Sequence, residues 1–230
     1  MNTFFENSVF LGVAISFISY GIGVYLKDKL KLSIFNPLLV SIILTMVVLT
    51  VANIDYDTYY KSAHYLSYLL TPATVALAVP LYEKLELLKQ NGKAIFLGIF
   101  SGVITSLLCV LVMALFFQLS HIDYVTLLPK SITTAIGMGV SEELGGYVSL
   151  TVAVIIVTGI FGNIISSFIF KIFRITDPIA MGVALGTSSH VVGTSKAMEL
   201  GETEGAMSSL SIVVAGLLTV IGASVFAQFL

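Results

Sequence analysis

Most of the side chains that could do chemistry in this chain lie in three interrupted apolar stretches, residues 68–81, 127–146 and 178–200. Lys130, His190 and Lys196 stand there among Thr74, Ser131, Thr133, Thr134, Ser189 and Thr194. An ionisable group near a bilayer interior is expensive, and by default it marks a ligand or ion pathway. Cations beside hydroxyls suit a small anion whose oxygens accept hydrogen bonds, so these nine residues are the expected substrate-binding set. A competing reading has the two lysines snorkelling to headgroups and the hydroxyls serving only close helix packing.

Proton coupling is the second chemistry these stretches suggest. His190 is the histidine inside an apolar stretch, and imidazole titrates near pH 6.5 when unperturbed. A bound carboxylate favours the charged ring, so proton and anion would reinforce each other's binding. Glu142 or Glu199 could carry the proton instead. The three histidines are scattered, and no metal set or nucleophile–base–orienter arrangement is evident, so neither enzymatic activity nor a cofactor is expected. Cys109, the sole cysteine, lies in an apolar run and reads as a small hydrophobe.

The elements that must position these groups are membrane spans. Of 230 residues 57% are hydrophobic and 10% charged, against about 25% charged in an ordinary soluble domain. A net charge of −2 offers no argument for nucleic acid. Five runs, residues 8–26, 34–52, 94–118, 148–170 and 208–230, are each apolar enough to cross, given that about 20 residues are needed. The first reads as a retained span, since MNTFFEN lacks a basic signal region. With the three interrupted stretches this predicts an all-α transmembrane bundle of about seven or eight membrane segments.

Basic clusters at Lys27–Lys31, Lys84–Lys93 and Lys171–Arg174 are expected to be cytoplasmic, with the Tyr-rich stretch 53–60 outside. Span 94–118 then ends outside, and 148–170 ends inside only if residues 127–146 enter and leave from the same side. A full crossing is the alternative. Breaks are expected at Pro72, Pro80, Gly137, Gly139, Gly186 and Gly193, where proline removes a donor and glycine loosens the helix. Pro129 and Ser131 resemble one helix start, and Ser188 or Ser189 another. A half-helix starting at membrane depth aims free N–H groups at its cavity, which again favours an anion.

Residues 1–230 are expected to form one integral membrane domain, with repeat halves about 1–118 and 119–230. A shift of 116 overlays Thr71 on Thr187 and Glu83 on Glu199, while a rival shift of 61 pairs Gly98-Ile99-Phe100 with Gly159-Ile160-Phe161. Inverted repeats with discontinuous helices are a common transporter plan.

The strings LLTPATVALAVPLYEKL, LLPKSITTAIGMGVSEELGG and GTSSHVVGTSKAMELGETEGAMSSL, in this order, resemble the signature stretches of the LrgB/CidB family, historically called holin/antiholin-like. The resemblance covers nearly the whole chain. It implies a multi-pass bacterial inner-membrane protein with a small LrgA/CidA-type partner, and relatives include the LrgB-like half of a plastidic glycolate/glycerate translocator. Thr71, Ala135 and Ser189 depart from the family's usual residues. Two functions are therefore carried forward. One is a carrier for small monocarboxylates of the pyruvate, glycolate or glycerate kind, coupled to protons and expected as a homodimer. The other is an antiholin-like regulator of murein hydrolase export, autolysis or membrane permeability.

Overall fold

The computed structural model describes residues 10–30, 35–69, 72, 75–76 and 78–230. The chain forms two compact units, residues 1–76 and 77–230, and all regular structure among the described residues is helical.

In the first unit, α1 (Leu11–Leu30) pairs with α2 (Pro37–Val51), whose start is capped by Asn36 Oδ1 accepting from the Leu38 and Leu39 amides at 2.9 and 3.3 Å. α3 (Tyr56–Ala63) lies within and beyond the stretch expected as a loop, and packs back on α1 through the Gly12 amide, which donates to Ser62 Oγ at 2.6 Å. A 3-10 turn follows at His64–Leu69. Thr71 and Thr74 lie outside the described residues, whereas Pro72 is in helical backbone.

The second unit runs α4 (Ala78–Glu83), α5 (Leu85–Phe117), α6 (His121–Leu127), α7 (Thr134–Glu143), α8 (Val148–Ile172), α9 (Pro178–Leu200) and α10 (Glu202–Phe226). Pro80 lies inside α4. Three helices among the described residues are long and apolar enough to cross a membrane: Leu85–Phe117, Val148–Ile172 and Glu202–Phe229. Their outward faces carry large side chains, such as Leu97, Phe116, Val157, Phe168, Leu217 and Ile221, a surface suited to lipid.

The chain doubles back twice between these three helices. α6 leads into an irregular tip at residues 128–133, and α7 returns, so that the Tyr147 amide beyond it donates to Thr126 Oγ1 in α6 at 2.8 Å. α9 reverses at one residue. His190 has φ 43° and ψ −134°, a conformation that ordinarily suits glycine, and Gly193 consequently packs on the Leu185 carbonyl, which a straight helix would put more than two turns away. The expected breaks at Gly137, Gly139, Gly186 and Gly193 thus fall within helical arms. Gly137, Gly186 and Gly193 serve there as close-contact points, and the reversals sit at 128–133 and at His190.

The two hairpins approach α10 from opposite ends. Tyr124 donates to the Phe226 carbonyl at 2.9 Å at one end, whereas Gly182 lies against Glu204 and Thr194 Oγ1 is 2.7 Å from Ser208 Oγ at the other. They converge on α8 at Ile155, whose side chain covers Gly137 and whose carbonyl accepts from His190 Nε2 at 2.9 Å.

Candidate functional site

A cavity of about 830 Å³ runs along α5 from Asn91 to Cys109. α8 lines it from Thr158 to Phe170, the first arm of α9 from Asp177 to Ser189, and the tip of the first hairpin contributes Lys130 and Ser131. Its walls are mainly apolar, and the polar groups gather where the two hairpins come together. α5 can approach α9 there because Gly102 has no Cβ to meet Thr187, and Gly98 leaves ordinary contact room for Val183.

The charge in that region belongs to Lys130. Its Nζ donates to Ser106 Oγ at 3.1 Å and to Ser131 Oγ at 3.0 Å, and those two hydroxyls are 3.1 Å from each other. Among the described residues no carboxylate lies within ion-pair distance of it, whereas Lys84 pairs with Glu202 and Lys196 with Glu199. Hydroxyls can accept from an ammonium but cannot neutralise it, so an ammonium here has hydrogen-bond acceptors without a counter-charge among the described residues. Thr187, also on the cavity wall, has a buried hydroxyl oxygen with no hydrogen-bond partner. Asp177, which caps α9 by accepting from the Ala180 amide at 2.8 Å, lies at the opposite end of the lining from Lys130.

This geometry can be set beside known proteins. The model of the LrgB-like family matches residues 16–229. The antiholin-like protein LrgB of Bacillus cereus (strain B4264) is 35% identical over 222 residues, 96% of each chain, and that of Bacillus anthracis (strain CDC 684 / NRRL 3495) matches to the same extent. The chain belongs to the LrgB family. No solved structure matches it.

Within this LrgB-family fold the expected binding residues separate into groups. Lys130, Ser131 and Ser189 line the cavity together. Thr133 and Thr134 stand at the start of α7, four residues beyond the expected Pro129 start, and are not in the lining. Thr194 is committed to holding the second hairpin, bonding the His190 carbonyl at 3.0 Å and Ser208. Lys196 faces away and pairs with Glu199 at 3.3 Å on the same helix face. Thr74 lies outside the described residues.

His190 is 4% exposed and sits behind the cavity wall, its ring against Gly159 with Nε2 2.6 Å from where a Cβ would be. Because a carbonyl only accepts, Nε2 must carry the proton it gives to Ile155. Glu142 is exposed on α7 and Glu199 is exposed near the end of α9, neither of them in the cavity lining. Asn163 donates to the Val192 carbonyl at 2.9 Å and so satisfies a group near the α9 reversal.

Sequence reasoning did not single out Ser106, Thr105 or Thr158. Each is a small hydroxyl within a long apolar helix, where packing is the ordinary reading. The signal that distinguishes Ser106 is spatial: it faces Lys130 from a different helix.

Proposed function

We propose that this LrgB-family chain is an antiholin-like protein of the bacterial inner membrane that sets the membrane's permeability and acts with a small LrgA-like partner. Similarity over 96% of its length to proteins bearing that name supports this reading. Its topology would be multi-pass, with Lys89 and Arg174 on the cytoplasmic side and the two hairpins entering the bilayer from opposite faces.

A second reading is favoured by one observation, the carboxylate-free ammonium of Lys130 in the cavity. On it the chain is a carrier of small monocarboxylates such as pyruvate, glycolate or glycerate, coupled to protons, with His190 between the second hairpin and α8 as the proton site. Moving a monocarboxylate with one proton is electroneutral, so a pH gradient drives uptake and a membrane potential alone does not.

Proteoliposomes containing the chain, with and without an LrgA-like partner, separate the two. Accumulation of labelled pyruvate, glycolate, glycerate or acetate under an imposed pH gradient supports the carrier. Absence of uptake for all four, alongside altered autolysis in cells lacking the protein, supports regulation without transport. If His190→Gln retains full pH-driven accumulation, the histidine does not carry the proton.

A further inference from the structure

We propose that Ser106 is an anion-binding residue, completing with Lys130 and Ser131 a cradle that offers two hydrogen-bond donors to one carboxylate. The proposal rests on the reading of the cavity as an anion site and adds the helix that closes it.

Counting protons carries the inference. An ammonium has three N–H donors, and Lys130 gives two of them to Ser106 and Ser131. The two serines share a contact of 3.1 Å, which uses one hydroxyl proton, the other oxygen accepting. One N–H remains and, with Ser131 donating to Ser106, the O–H of Ser106 remains as well; all three residues line the cavity. A carboxylate is an acceptor with two oxygens, so it uses both remaining donors and supplies the missing negative charge. A chloride ion meets the charge equally well but does not offer two separate acceptor atoms. Ser106 belongs to α5, while Lys130 and Ser131 belong to the first hairpin, so a bound carboxylate links the hairpin tip to the wall helix.

Cys109, the single cysteine of the chain, stands one turn beyond Ser106 on α5 and lines the same cavity. Its native thiol therefore reports occupancy without an engineered label. Purified full-length protein should be alkylated with N-ethylmaleimide at constant ionic strength over a range of acetate and, separately, chloride concentrations. Acetate should slow labelling saturably. Ser106→Ala should raise the half-protecting acetate concentration about tenfold, the scale of one hydrogen bond to a charged group, and that of chloride by less. Ser106→Thr, which keeps a hydroxyl, should restore the parent value. Ser101→Ala, on α5 outside the cavity lining, should match the parent throughout. Unchanged acetate protection in Ser106→Ala, or an equal rise for acetate and chloride, overturns the role of Ser106 alone. No saturable protection in the parent overturns the anion-site reading along with it.

Discussion

The two hairpins share a plan but present opposite chemistry. Each carries a close-contact glycine on its returning arm, Gly137 against the Ile155 side chain and Gly193 against the Leu185 carbonyl of the entering arm, and both hairpins meet α8 at Ile155. The first turns through an irregular tip and places a cation on the cavity wall. The second turns on His190 alone, hides the ring against Gly159 and lends the cavity only Thr187, Ser188 and Ser189 from its tip. The difference shows that an ionisable residue in a broken helix can line a cavity, as Lys130 does, or be packed behind its wall, as His190 is.

Substitutions can break this comparison. The largest effect is expected at the glycines. A Cβ at Gly193 would overlap the Leu185 carbonyl, which is backbone and cannot rotate away, whereas one at Gly137 meets chiefly the far end of the Ile155 side chain. Gly193→Ala should therefore lower the yield of folded protein several-fold and Gly137→Ala much less, measured as monodisperse protein after detergent extraction. Equal yields would mean that the second reversal is not so tightly packed.

A smaller loss is expected where hydroxyls tie the first hairpin to α8. Thr151 Oγ1 lies 2.9 Å from the Thr126 carbonyl and 2.8 Å from Ser141 Oγ, all fully buried. Thr151→Val leaves the Thr126 carbonyl without that donor and the Ser141 hydroxyl without that acceptor, and should cost about 1–3 kcal/mol, read as a lower thermal midpoint in detergent. Thr151→Ser should recover most of it.

The smallest effect concerns Lys196. Its pair with Glu199 is partly exposed, with the carboxylate 44% open, so Lys196→Gln should change stability by less than about 1 kcal/mol and leave acetate protection of Cys109 unaltered. A marked loss of protection would return Lys196 to the binding set.

The sequence made the interrupted segments legible because proline, glycine and hydroxyl clusters are rare in lipid-facing helices, and 127–146 and 178–200 both contain reversals. It made Lys130 legible for the same energetic reason. The turning residue of α9 was hidden, since glycines flank a histidine that adopts the glycine-like backbone itself. Ser106 was hidden as well, because a serine in the middle of an apolar helix has the same local signature whether it packs or binds. The 61- and 116-residue shifts were not a guide to the hairpins, whose corresponding contact points, Gly137 and Gly193, are separated by neither.

On the proposed anion-site reading, the ammonium of Lys130 attracts a small carboxylate into the cavity. That reading is tested most directly by equilibrium binding of labelled pyruvate to purified parent protein and to Lys130→Met, which keeps the length of the side chain and removes its charge. Saturable binding in the parent, weakened about tenfold to a hundredfold in Lys130→Met with the protein still folded, is the predicted result. Equal affinity in the two proteins would contradict it.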